Sequence, residues 1–302
     1  MQSKSYLPLG VVGAMLLALT LIGSIWDYEI ASFVYLGQMP GENIFGIIFS
    51  YVGIIPTFVG WSFLGASIIC LSKKHVASTK KRRLLIAFAV LLFVLSFFYF
   101  CNTLYLSNAN AFEVNFFVAY LIGIAVICAA AFLGYKLSER CADRELLKKL
   151  LLLAAVSLVT LLIISVTKEL MCRPRFRFVL YMENPDYFRS FWQSGSDIRD
   201  SLGRDIVTDE FASMPSGHSA YSMFAIFLFP TLSDYVKGLG KFRPYLFAAG
   251  FVWWALTALS RMSVGAHYLT DVTVAGLVTL ISYCAVSLID KAYRRRVSLS
   301  KV

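Results

Sequence analysis

Leu84-Leu85-Ile86-Ala87-Phe88-Ala89-Val90-Leu91-Leu92-Phe93-Val94-Leu95-Ser96-Phe97-Phe98-Tyr99-Phe100 follows directly on Lys80-Lys81-Arg82-Arg83, and the uncharged run continues to Leu106. About 20 apolar residues in a helix cover the roughly 30 Å of hydrocarbon in a bilayer. A basic cluster at one end marks the side on which such a helix stops. This stretch is predicted to cross a membrane, and the rest of the chain repeats it.

The chain has 302 residues and is 58% hydrophobic, which alone suits either two soluble domains or one membrane bundle. Run length decides between them. Apolar stretches of roughly 17 residues or more fall near Tyr6–Trp26, Ile44–Ser72, Leu84–Leu106, Val114–Tyr135, Leu150–Thr167, His218–Ser233, Tyr245–Ser260 and Val272–Ile289. None carries Asp, Glu, Lys or Arg in its middle. The expected fold is all-α, a polytopic bundle of about eight transmembrane helices forming one membrane-embedded domain over residues 1–302.

The net charge of +10 is not spread evenly, since 20 of the 28 Lys and Arg lie at the N-terminus, in loops 72–83, 136–149 and 236–244, and in the tail from Lys291. By the positive-inside rule that side is cytoplasmic and holds both termini. These clusters orient the protein and attract anionic lipid heads, and nucleic acid is not an expected partner. Of the six cysteines, only Cys101 and Cys172 lie toward the same outer side; no metal-ligand spacing appears, and a disulfide framework is not expected. The first apolar run lacks a strongly basic n-region and a convincing small-residue cleavage site, so it reads as a retained helix.

Between the spans, Ile30–Leu36 reads as a short amphipathic piece at the outer interface, and Pro56 is predicted to kink the second span. The longest non-apolar stretch, residues 179–214, is acidic but holds Tyr181, Tyr187, Phe188, Phe191 and Trp192. It is expected to be a partly ordered external loop, either a substrate lid or a passive connector.

Three short stretches carry chemistry. In Ser260-Arg261-Met262-Ser263-Val264-Gly265-Ala266-His267-Tyr268-Leu269-Thr270-Asp271, a helix running from His267 would put Asp271 one turn on, where its carboxylate orients the imidazole. Ser213-Met214-Pro215-Ser216-Gly217-His218 reads as a helix start, whose N–H groups could hold an anion, although taken alone the stretch favours simple capping. Lys168 to Arg177 adds a cluster of cations. Alternation of sides places Lys168, Arg175, Ser216, His218, Arg261, His267 and Asp271 on one outer face. Cations, two imidazoles and an orienting carboxylate meet the needs of phosphoryl transfer, and no metal or other cofactor is required by that set.

These residues resemble the type 2 phosphatidic acid phosphatases, a membrane branch related to vanadium haloperoxidases. The pattern Lys-x6-Arg-Pro, Pro-Ser-Gly-His and Ser-Arg-x5-His-x3-Asp reads here as Lys168 to Arg175, Pro215-Ser216-Gly217-His218, and Ser260-Arg261 to His267 and Asp271. Phe176 replaces the usual proline of the first motif. Arg173-Pro174 offers an Arg-Pro two residues early, and Arg175 is taken as the clamp in preference to Arg173. The family core has six spans, so the hairpin 84–135 is the suspected addition. The resemblance implies that His267 attacks phosphorus to form a phosphohistidine and that Asp271 holds its other nitrogen. His218 then serves as acid and base, while Lys168, Arg175, Ser216, Gly217 and Arg261 hold the phosphate oxygens. The implied substrate is a lipid phosphate or diphosphate (phosphatidic acid, phosphatidylglycerophosphate or undecaprenyl diphosphate), met at the external face of a bacterial plasma membrane. A phosphotransferase is the rival reading, and an anion transporter or an inactive lipid-binding relative the non-enzymatic one.

Overall fold

The computed structural model describes residues 7–38, 41–111, 116–141, 143–202, 208–236 and 238–299, and among them there are helices and no strand. In order these are α1 (Leu7–Val34), α2 (Ile44–Val52), α3 (Ile55–His75), α4 (Thr79–Ala111), α5 (Phe116–Glu139), α6 (Arg144–Met171), α7 (Phe176–Tyr181), α8 (Ser196–Leu202), α9 (Gly217–Met223), α10 (Ala225–Leu232), α11 (Arg243–Ser263) and α12 (Leu269–Leu299). Six stretches are long and apolar enough to span a bilayer: Leu7–Val34, Ile44–His75, Thr79–Thr103, Phe117–Glu139, Arg144–Tyr181 and Leu269–Arg296. The chain is an all-α integral membrane protein.

The expected sixth and seventh spans are not among the six. Residues 218–233 divide at Phe224 into α9 and α10, neither longer than 8 residues. Helix α11 has 21 residues, but Pro244, Tyr245, two tryptophans and its terminal arginines dilute its apolar character. Pro56 does not kink a continuous helix; the chain turns before it, and Pro56 sits in the first turn of α3, where its missing N–H has no helical acceptor to lose. Ile30–Val34 extends α1 past a break at Trp26 (φ −120°, ψ 27°) and is not a separate surface piece.

Cα packing divides the chain into two units. One comprises residues 51–158, 221–254 and 285–302. Its centre is α3, which packs against α4 and α5. The span that contains α3 is 83% buried along its apolar window. With apolar surroundings on every side, association there relies on small hydroxyls as well as on packing. Ser62 Oγ donates to Ser96 Oγ at 2.7 Å, Ser96 Oγ to the Phe58 carbonyl at 2.6 Å, and Trp61 Nε1 to Ser157 Oγ at 2.7 Å. Outward, Phe98, Leu121 and Phe132 are 60–66% exposed, as suits side chains facing lipid.

The other unit comprises residues 1–50, 159–220 and 255–284. Here α1 lies against the start of α12. A Cβ on Gly23 would stand 2.9 Å from Thr270 Cγ2, so this approach requires glycine. The stretch 179–214 is ordered over its described part, with Phe178, Ile198 and Phe211 forming a buried cluster joined by Met182, Tyr187 and Leu202. All six cysteines are free thiols, including Cys101 and Cys172.

Candidate active site

Every residue singled out for chemistry lies in this second unit. Lys168 stands in the last turn of α6, and its Nζ donates to the Ala212 carbonyl. Cys172, at φ 44°, ends that helix, and the extended segment Arg173-Pro174-Arg175 follows. The two arginines have different fates. Arg173 is fully buried. Its Nη1 donates to Asp271 Oδ1 at 2.6 Å and Thr270 Oγ1 at 2.9 Å, Nη2 to Asp27 Oδ2 at 2.9 Å, and Nε to the Arg189 carbonyl at 2.7 Å. The guanidinium also lies 4.1 Å from the Tyr268 ring centroid, a cation–π distance. Arg175, 7% exposed, donates from Nη2 to Asp209 Oδ1 at 2.7 Å, and its buried Nε has no partner among the described residues. Arg173 thus has four of its five N–H groups bonded, whereas Arg175 keeps a buried Nε–H without a partner among the described residues.

Helix α11 ends in a Schellman turn: Gly265 N–H donates to the Met262 carbonyl at 2.9 Å and Ala266 N–H to the Arg261 carbonyl at 3.1 Å. Gly265 takes φ 66°, the left-handed conformation this turn needs. The turn leaves Arg261 7% exposed in the last helical turn, with Nη1 on Ser50 Oγ and a buried Nε that has no partner among the described residues. His267, 2% exposed, follows in the connection to α12.

The predicted one-turn relation of His267 to Asp271 does not form, because α12 begins only at Leu269. His267 precedes the N-cap and has no helical phase. Its Nδ1 lies 2.7 Å from the Ser213 carbonyl and 3.9 Å from Asp271 Oδ2. A carbonyl only accepts, so Nδ1 carries the proton and Nε2 keeps its lone pair. Asp271 acts one step further back. It accepts from Ser213 Oγ at 2.5 Å and from the Tyr268 N–H at 2.9 Å, the latter a capping-box contact from the third helical position. Burial holds the His267 imidazole well below its ordinary pKa, at about 3; Asp271 opposes this and the charges of Lys168 and Arg175 add to it. The ring is therefore neutral near pH 7, as a nucleophile must be.

Ser216 caps α9, accepting from the Ser219 N–H at 3.3 Å, and its own hydroxyl proton is still available to an anion. Gly217 opens the helix and His218 stands in its first turn. His218 Nε2 donates to the Ser50 carbonyl at 3.1 Å, so Nδ1 is the nitrogen left for proton transfer. The carbonyl is at hand because Ser50 lies in the last turn of α2, where carbonyls have no helical donor. Asn43 sets that helix: its Oδ1 caps the Gly46 N–H at 2.8 Å, and its Nδ2 reaches Ser263 Oγ at 3.0 Å. Burial, and then the cations Arg261 and Lys168, hold the His218 imidazole well below its ordinary pKa.

Sequence reasoning did not single out Asp27, Ser50, Arg173 as an anchor, Ser213 or Asp209. In sequence Asp27 is one of two acids, with Glu29, just after the first apolar run, and only its 5% exposure marks it as different. Ser213 had one visible signal, its place just before Met214-Pro215-Ser216-Gly217-His218.

Residues 149–295 match the model of the PAP2 superfamily, and this part of the chain belongs to it. Its members are generally phosphatases, so the domain is of the phosphoric ester hydrolase class, here in a membrane protein. The matched region contains Lys168, Arg175, His218, Arg261, His267 and Asp271 but neither Asp27 nor Ser50. No curated protein and no solved structure matched the chain.

Proposed function

We propose that the protein hydrolyses the phosphate monoester or diphosphate of a lipid through a phosphohistidine. The observation that carries this is the pair of buried guanidiniums, Arg175 and Arg261, each with an Nε–H lacking a partner among the described residues. Burying such a donor unpaired is costly, on the order of 1–3 kcal/mol, and an anion removes that cost. Beside them stands an imidazole with a free Nε2.

Lys168, Arg175, Arg261, the Ser216 hydroxyl and the Gly217 N–H hold the equatorial oxygens. His267 Nε2 gives its lone pair to phosphorus as the bond to the lipid oxygen breaks. Burial and the cations Arg261 and Lys168 hold His218 below its ordinary pKa; a bound phosphate dianion offsets those cations, and His218, then protonated at Nδ1, delivers that proton to the leaving oxygen. In the second step neutral His218 takes a proton from water, the water oxygen attacks phosphorus, and the P–N bond breaks to restore His267 and release phosphate. Asp271 supports the imidazolium through Ser213 and its own charge.

The basic loops support an orientation with both termini cytoplasmic and the site on the external side of a bacterial plasma membrane. Exposed apolar helix faces favour a substrate with an acyl or prenyl tail, with phosphatidic acid, phosphatidylglycerophosphate and undecaprenyl diphosphate as candidates. The hairpin of α4 and α5 is taken as an addition to a six-span core, although the superfamily match begins at residue 149, after α1 to α5 alike. The test is phosphate release by the purified protein in detergent with chelator, across lipid monophosphates and diphosphates. Stoichiometric inorganic phosphate supports hydrolysis; phosphate transferred to an added alcohol instead supports the phosphotransferase. Activity that disappears in chelator and returns with magnesium overturns the mechanism.

A further inference from the structure

The acid on α1 is tied to the same histidine, although α1 lies outside the superfamily match. Asp27 is 5% exposed and accepts from three donors of this unit: Arg173 Nη2 at 2.9 Å, the Thr270 N–H at 3.0 Å, and the Thr270 hydroxyl. Arg173 is thus held between Asp27 on one side and Asp271 on the other. Asp271 in turn accepts from the hydroxyl of Ser213, whose carbonyl holds His267 Nδ1. The links run without a gap from Asp27 through Arg173, Asp271 and Ser213 to the imidazole.

We propose that Asp27 is a positioning residue for His267, acting through Arg173; this rests on the hydrolase reading above. With Asp27 present, Arg173 divides its donors between two carboxylates, and Asp271 keeps one oxygen for Ser213 and Tyr268. Without it, Nη2 loses its acceptor and the guanidinium closes on Asp271 with both nitrogens. That draws the second carboxylate oxygen away from Ser213 and loosens the carbonyl that fixes the ring. The two carboxylates and one guanidinium also leave a net negative charge beside a ring that becomes cationic when phosphorylated, and Asp27 supplies that excess. A small misplacement of a nucleophile costs up to about 100-fold in rate.

Asp27→Asn keeps the shape and removes the charge; its amide oxygen can still accept from Arg173 Nη2, but a neutral acceptor no longer competes with the Asp271 carboxylate for the guanidinium. It is expected to lower kcat by about 10- to 100-fold, while KM for the lipid phosphate and inhibition by inorganic phosphate stay as in the wild type, since the oxygen-holding cations are untouched. In a cycle with Arg173→Gln the two losses are not additive, because one acts through the other; full additivity overturns the proposal. Spectra of protein labelled with 15N-histidine give a readout that needs no substrate: the His267 Nδ1–H signal shifts in Asp27→Asn, with His75 as the internal control. Thr270→Val, which removes the hydroxyl shared by Asp27 and Arg173 but keeps the charges, gives a smaller shift in the same direction. An unmoved His267 signal in either folded variant overturns the proposal. A wild-type protein that releases no phosphate sinks the hydrolase reading instead, and the spectra still decide Asp27.

Discussion

Arg173 and Arg175 are separated by one proline, and the regions they serve are opposites. Around Arg173, carboxylates outnumber cations and nearly every donor is matched, down to a backbone carbonyl for Nε. Around Arg175, Lys168 and Arg261 the cations are in excess. Asp209 is the acid in hydrogen-bond contact, and its side chain is 63% exposed. A buried charge with its partners in place is part of the framework, because removing one partner strands the other. A buried charge without them is poised for a ligand. The difference separates a nearly fully partnered guanidinium from one with a buried donor to spare within one short segment.

The largest break in this comparison comes at the imidazoles that both regions serve. His267→Ala is expected to abolish turnover and the labelled phosphoprotein formed from a 32P-lipid substrate. His218→Ala should cost about 10²- to 10⁴-fold in kcat while inhibition by vanadate, a phosphate mimic, persists.

Next in size are the arginines themselves. Arg173→Met leaves Asp27 and Asp271 buried and unpaired, and should destabilise the fold by about 3–5 kcal/mol, read as a lowered thermal midpoint in detergent. Arg175→Met should leave that midpoint unchanged or raised and weaken phosphate inhibition by about 10- to 100-fold, the worth of a charge-assisted hydrogen bond. Equal loss of stability in both variants would erase the distinction drawn between them.

The acid side of the pH profile sharpens it further. The folded pKa of His267 lies near 3, below its ordinary value of 6.5. Above pH 6.5 the ring is neutral whether folded or unfolded, and the stability it permits is fully present. As pH falls from there toward 3, the unfolded chain binds a proton that the folded one refuses, so stability declines. His267→Gln should flatten this part of the curve of thermal midpoint against pH. Smallest is Asp209→Asn. Its carboxylate competes with phosphate for Arg175, and a half-exposed pair is worth about 0.2–1 kcal/mol, so phosphate inhibition should strengthen by no more than a few-fold.

Membrane insertion was legible because hydrocarbon imposes a length, and length is a property of sequence. The unit of the site was legible too. Hydropathy alternation sends the ends of α6 and α11 and the starts of α9 and α12 the same way, and the motif spacing supplied the histidines. The exact count of spans was not, since the turn at Phe224 and the composition of α11 lie near the limit of what run length can decide. The bond from His267 to Asp271 was misjudged for a local reason: an i, i+4 argument holds only inside a helix, and the Schellman turn at Gly265 delays α12 until after the histidine.

By itself, then, the chain's order of residues determined an all-α membrane protein, and it supplied the motifs whose cations and imidazoles fall in one structural unit. Only the tertiary structure decided what holds those groups still. The carbonyls of Ser213 and Ser50 and the carboxylate of Asp27 are ordinary in sequence. They matter because folding brings them, across as many as 243 residues in the case of Asp27 and Thr270, to donors that have no other partner of equal strength. Hydrogen bonds to backbone oxygen leave no residue signature, since every residue has that oxygen, and a buried acid looks like an exposed one until its neighbours are known.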